Sequence, residues 1–157
     1  MAAIRLTEMR LRFEELARRA QRELARRLRA SKPARLFGFE LDAAEPGRAV
    51  LRMRVRSRHK QVHGVVHGGI LAALADTAAG LGIYLVVPRG TRLATVEMKI
   101  NYLEAVDKGT LLAEARLLRK GKHFAVSECD IRDQQGRLVA KALLTFSIGR
   151  VEKRNRR

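Results

Sequence analysis

His67–Gly80 reads HGGILAALADTAAG, two glycines followed by an apolar run that carries one carboxylate. From Gly68 to Pro88, Asp76 is the only charged residue. A carboxylate in such a segment is costly to bury unless it is paired, protonated or chemically employed. As an ionised group it can take a proton or attack an electrophile. Gly68 and Gly69 stand where a helix would open. Backbone N–H groups there lack partners, and the helix dipole favours negative charge. Without Cβ atoms, the glycines let a ligand approach the backbone. The plainer alternatives are a tight turn at the glycines and an Asp76 bonded to backbone or to Thr77.

Other reactive residue types point elsewhere. His59, His63 and His67 are four apart, a spacing that serves a metal only on a helix. Gly64, Gly68 and the Val65-Val66 pair oppose a helix there, and no Asp, Glu or Cys in the loop completes a ligand set. No metal is expected. Cys129 is the single cysteine, so no internal disulfide or Cys-based zinc site is available. Its setting, AVSECDI, reads as a buried thiol on a strand. One cysteine fits a reducing compartment, and a cytoplasmic location is expected.

The elements that must position Asp76 follow from periodicity. Residues 4–30 read as a helix, with Met9, Phe13, Leu16, Ala20, Leu24 and Leu28 at three- and four-residue steps. Ser31-Lys32-Pro33 ends it. Leu36–Asp42 and Ala49–Arg56 read as a hairpin around Glu45-Pro46-Gly47, the second strand alternating with period two. Residues 57–68 form a polar loop. Gly69–Val87 is a helix apolar nearly all round, expected to be buried on most sides, with Pro88-Arg89-Gly90 as its stop. Four strands follow. In the first, Val96, Met98, Ile100 and Tyr102 alternate with Thr95, Glu97, Lys99 and Asn101. The others centre on Leu111–Leu117, Phe124–Arg132 and Leu138–Ile148. Short connections imply antiparallel pairing. One all-apolar helix is hidden only if the sheet curls around it.

At 157 residues the chain is expected to form one domain with a substantial core. No run of eighteen apolar residues is free of a polar break, so no membrane helix is expected. The net charge of +17 is concentrated at the ends. Residues 1–35 hold eleven Lys and Arg against four acids, and residues 149–157 hold five against one. Such ends can bind nucleic acid, anionic lipid or a phosphate-rich ligand. An Arg-rich, solvated helix face is the plainer account. Few aromatics accompany the charge, which disfavours base stacking. Glu8, Glu14, Glu15 and Glu23 are too many acids for a transit peptide.

The element order and HGGILAALADTAAG resemble the hotdog-fold acyl-CoA thioesterases, chiefly the phenylacetic-acid-degradation type. VEMKINYLEA (Val96–Ala105) and RKGKHFAVSECDI (Arg119–Ile131) carry the same likeness, which covers roughly residues 35–148. It implies an α+β hotdog fold, a curled antiparallel sheet wrapped around one long apolar helix, with an extra N-terminal amphipathic helix. Residues 1–34 would be that helix, within the same unit, 35–148 the thioesterase domain, and 149–157 a basic tail.

Thioester hydrolysis needs an oxyanion donor, a carboxylate and an acyl slot. The resemblance places the oxyanion on the Gly68 N–H, with Gly69 beside it where the coenzyme A thioester binds. Asp76 lies about two turns on, roughly 12 Å along the axis, too far to serve that oxyanion in one chain. The resemblance implies a homodimer, or a homotetramer of paired dimers, whose sites join the glycine end of one copy to the carboxylate of the other. Asp76 is then general base or nucleophile. Gln61 would orient carbonyl or water, Thr95 would hold water, and His67 would order the loop or contact the thioester. Gly80 stands where some relatives carry a hydroxyl. Arg119, Lys120, Lys122 and His123, around Gly121, would meet the phosphates of coenzyme A, and an ordinary charged hairpin is the alternative. Small residues such as Ala72, Ala73, Ala75 and Ala79 leave room for an aromatic or medium-chain acyl group. Coenzyme A is here part of the substrate, and no cofactor is expected. The rival readings are a non-catalytic acyl-CoA-binding hotdog module, a polyanion binder using the Arg-rich ends, and a hydratase. A hydratase would want a His on the central helix, which has none.

Overall fold

The computed structural model describes residue 15 and residues 18–151. Met9, Phe13 and Leu16 of the expected first helix, and the tail from 152 on, lie outside the described residues. Helix α1 covers residues 18–30. Helix α2 (Lys32–Phe37), strands β1 (Phe39–Glu45) and β2 (Arg48–Arg54) and a 3-10 turn (Ser57–His59) follow. Helix α3 (Gly68–Tyr84) comes next, then β3 (Thr91–Tyr102), β4 (Thr110–Lys120), β5 (Phe124–Asp133) and β6 (Leu138–Val151).

The strands form one antiparallel sheet in the order β1-β2-β4-β5-β6-β3. The sheet curls around α3, which touches all six strands. Leu74, Ala75, Ala78 and Ile83 of α3 are fully buried. They pack against the inner sheet face, where Leu51, Leu111, Ile131 and Leu144 are equally inaccessible. Each such Leu or Ile contributes about 1.5–3 kcal/mol. Gly82 brings the helix close to β2. A Cβ at that position would stand 3.4 Å from the backbone of Arg48 and Ala49.

Leu24 and Leu28 carry α1 into this same core. The chain then departs from the sequence expectation. Lys32-Pro33 ends one helix but starts another, because the Ser31 side chain accepts from the Ala34 N–H and proline suits the first helical turn. Gly38, at φ 69°, closes α2 in the left-handed region, so the strand begins at Phe39 rather than Leu36. Helix α3 starts at Gly68 and ends at Tyr84, and Leu85–Val87 leave it before Pro88.

The other departure is in β3. Thr95 pairs with Phe146, but Glu97 pairs with Thr145, so Val96 is an extra residue that breaks the alternation. Phe146 and Leu144 face the core. Thr95 therefore shares the helix-facing side with Met98 and Ile100, and Val96 is 58% exposed. A strict period of two puts Thr95 on the opposite side.

Candidate active site

Asp76 and Thr95 meet. The Thr95 hydroxyl donates to Asp76 Oδ1 at 2.6 Å, across the gap that the β3 bulge closes. The Thr77 hydroxyl donates instead to the Ala73 carbonyl at 2.7 Å, so it does not occupy the carboxylate. Burial among apolar helix neighbours raises the Asp76 pKa above its ordinary value, and the Thr95 bond opposes the rise in part. Asp76 and Thr95 border an open cleft of about 300 Å³, which runs along α3 past Gly80 to Tyr84. A Cβ on Gly80 would lie 3.5 Å from Phe146. The glycine thus leaves the cleft wide beside the carboxylate.

The other end of α3 is a separate cluster. His67 caps the helix, its Nδ1 accepting from the Gly69 N–H at 2.9 Å. The Gly68 N–H has no hydrogen-bond acceptor among the described residues. Tyr102 lies over Gly68 and donates its hydroxyl to the Gly68 carbonyl at 3.0 Å. A Cβ on Gly68 would stand 3.1 Å from the Tyr102 ring. A side chain here would fit only if the Tyr102 ring gave way by a few tenths of an ångström. Gln61 is half-buried in the preceding turn, where its backbone N–H donates to Val65 and its carbonyl accepts from Gly64.

The three histidines diverge. His59 is buried and its Nδ1 accepts from the Arg56 N–H at 3.1 Å, and burial lowers its pKa. His63 is exposed at the loop tip, and His67 is the cap. Among the described residues no three His, Cys, Asp or Glu side chains are placed to share a metal ion. Cys129 is fully buried, and its thiol is pushed up to about 12.

Arg119, Lys120, Lys122 and His123 are all exposed at the β4–β5 turn. Phe124, next to that turn, pairs with Ser147, which pairs with Ala94. The basic turn is therefore level with the Thr95 end of β3, two strands away, or about 10 Å. One chain thus holds three groups: Asp76 with Thr95, the glycine end with Gln61 and His67, and the basic turn.

Sequence reasoning missed Tyr102 over Gly68 and a second contact at the cleft. There the Arg27 guanidinium of α1 lies 3.2 Å above the centre of the Tyr84 ring. Neither has a local sequence signal, since each joins elements distant in the chain.

Residues 63–140, which span α3 and most of the sheet, match the profile of the thioesterase superfamily. Human acyl-coenzyme A thioesterase 13 is 30% identical over 111 residues, covering 69% of this chain and 79% of that protein. The chain belongs to the thioesterase superfamily. Another relative is the 1,4-dihydroxy-2-naphthoyl-CoA hydrolase of Listeria monocytogenes, 28% identical over 74% of this chain and 95% of its own. The solved PaaI protein of the E. coli phenylacetic acid degradation operon superposes with a TM-score of 0.77 at 25% identity. That match covers 85% of this chain and 95% of that one. The fold is accordingly the thioesterase hotdog, and the protein is a thioester hydrolase of that superfamily. Arg27 and Leu28 of α1, which line the cleft, lie outside the matched profile. No helix among the described residues is long and apolar enough to cross a membrane.

Proposed function

We propose that this thioesterase hydrolyses an acyl-CoA, with an aromatic or medium-chain acyl group, to the free acid and coenzyme A. The observation that carries the reading is Asp76, a carboxylate of raised pKa held by the Thr95 hydroxyl at 2.6 Å and facing an open cleft. An idle carboxylate is poorly suited to that helix.

In this reading Asp76 takes a proton from water as the water oxygen adds to the thioester carbon, or attacks that carbon itself to give an acyl–Asp76 anhydride that water then hydrolyses to the free acid, restoring the carboxylate. The carbonyl oxygen becomes an oxyanion, received by the Gly68 N–H, which has no acceptor of its own among the described residues. Collapse breaks the C–S bond, and the thiolate leaves and is protonated. Thr95 fixes the Asp76 carboxylate, His67 holds the helix entry, and Gln61 orients the carbonyl or the water. Gly69 leaves space beside the thioester. Arg119, Lys120, Lys122 and His123 meet the phosphates of coenzyme A as an exposed cationic turn.

Gly68 and Asp76 are about two helical turns apart, so the site is assembled from two copies, in a homodimer or a pair of homodimers. The long β3 edge supports this. Among the described residues it is the free margin of the sheet, with Val96 and Tyr102 more than half exposed, and such edges are normally covered.

The test is thiol release from acetyl-, octanoyl-, benzoyl-, phenylacetyl- and palmitoyl-CoA by wild type and Asp76→Asn. Turnover of one acyl class that drops by about 10²-fold or more in the variant, with oligomeric state unchanged, supports the reading. Equal turnover by the variant, or none by wild type, would leave Asp76 structural and favour a non-catalytic acyl-CoA-binding module.

A further inference from the structure

The cleft beside Asp76 ends in a cation. Its body is apolar, walled by Leu28, Leu81, Leu93 and Phe146. Its far end is formed by Arg27 and Ser31 of the N-terminal segment, over Tyr84 of α3. Asp76, Gly80 and Tyr84 are spaced four apart and share one helix face. Tyr84 is thus about 12 Å along the axis from the carboxylate.

Arg27 is short of anionic partners. Its Nε is buried without a hydrogen-bond acceptor among the described residues, and Glu23 Oε1 stands 3.3 Å away without the alignment of a hydrogen bond. Glu23 is also shared with Arg26, at 2.9 Å, and Arg89, at 3.3 Å. One carboxylate answers three guanidiniums, which leaves local positive charge at the cleft's end. Stacking on Tyr84 holds the Arg27 guanidinium flat and reduces the entropy lost when it binds an oxygen pair. A guanidinium presents a fork that matches a carboxylate in two parallel hydrogen bonds.

We infer that Arg27 is a specificity-determining residue that selects acyl groups bearing a carboxylate at the end distal to the thioester. The apolar walls take the intervening carbons, and Ser31 offers a hydroxyl beside the cation. An ω-carboxyacyl chain of about eight carbons, roughly 9 Å between its end carbons, reaches from the Asp76 end to Arg27 once the hydrogen bond of about 3 Å to the guanidinium is added, since the helix face between them is about 12 Å long. The inference rests on the proposed acyl-CoA hydrolysis and adds a substrate class to it.

The experiment compares kcat/KM for suberoyl-CoA and octanoyl-CoA, matched in length and differing in the distal carboxylate. Wild type is expected to prefer suberoyl-CoA. Arg27→Gln should lower the suberoyl-to-octanoyl ratio by about 10- to 100-fold, the worth of a charge-assisted hydrogen bond. Arg27→Lys, which keeps the charge and loses the fork, should retain part of it. The ratio is insensitive to a loss of folded protein, which lowers both rates together. A wild type that prefers octanoyl-CoA, or a ratio unmoved by Arg27→Gln, overturns the inference and leaves acyl-CoA hydrolysis standing. If neither thioester is cleaved, the proposed activity falls, and calorimetric binding of suberic monoamide against octanamide decides the cleft alone. A preference for suberic monoamide that Arg27→Gln abolishes supports the anion site, and equal binding of the two amides overturns it.

Discussion

Asp76 is caught between two effects of known sign. Burial raises its pKa, and the Thr95 hydroxyl lowers it. If the ionised carboxylate is the working form, kcat/KM falls on the acid side as Asp76 is protonated. Thr95→Val removes the lowering effect, so the acid limb of the pH–rate profile should move to higher pH. A limb that stays in place would assign it to another group. The same shift has a stability consequence. A carboxyl whose folded pKa lies above its unfolded value costs native stability once pH exceeds the unfolded value, and the cost is complete above the folded one. Asp76→Asn, which keeps an oxygen to accept from Thr95, should melt higher than wild type near neutral pH. The gain should vanish as pH falls through the ordinary Asp range. Thermal melts across pH check it, and an equal gain at all pH values would show that charge is not its origin. Asp76 was legible in the sequence because a lone charge in an apolar helix has few explanations. Tyr102 over Gly68 and Arg27 over Tyr84 were not legible, because a contact across 34 residues, as between Gly68 and Tyr102, leaves no periodic trace.

Among the elements, α3 trades stability for space. Gly80 stands mid-helix, where glycine costs about 1 kcal/mol against alanine. The Cβ of Gly80→Ala would meet Phe146 at an ordinary contact distance of 3.5 Å. The variant should therefore melt about 2–4 °C higher while losing several-fold in kcat/KM on bulky acyl groups and less on acetyl. Equal loss on all substrates would mean that the narrowing acts on the chemistry and not on the slot. The helix and the strands of the sheet could be read from their periods, which reflect burial on one face or on all. Two features could not. Val96 is an extra residue in β3, and a bulge looks like ordinary alternation until the partner strand is known. Ser31-Lys32-Pro33 is a helix stop and a helix start in the same residues. The Ser31 cap, the packing of Ala34 into the core and the αL glycine at 38 together decide for a second helix.

A site shared between two copies behaves differently from one confined to a single chain. Within one chain the Gly68 N–H and the Asp76 carboxylate sit about two helical turns apart on one rigid helix, and no side-chain motion brings them to one carbonyl. If each site takes Gly68 from one copy and Asp76 from its partner, two different defects should complement. Asp76→Asn lacks the carboxylate. Gly68→Val obstructs the helix entry, because any Cβ there presses on the Tyr102 ring. Each homodimer is then inactive at both sites. A mixed dimer has one site with both defects and one with neither. Random assortment makes half the dimers mixed, each with one working site of two, so co-expression should recover about a quarter of wild-type activity. Separately purified variants should regain it only as fast as their subunits exchange. A site confined to one chain predicts no recovery at any mixing ratio, because every chain then carries a defect in its own site. Sedimentation of both variants as wild-type-sized species is the necessary control. With it in place, a quarter of the activity or none decides whether the edge of β3 and the entry of α3 are surfaces of a finished enzyme or halves of two.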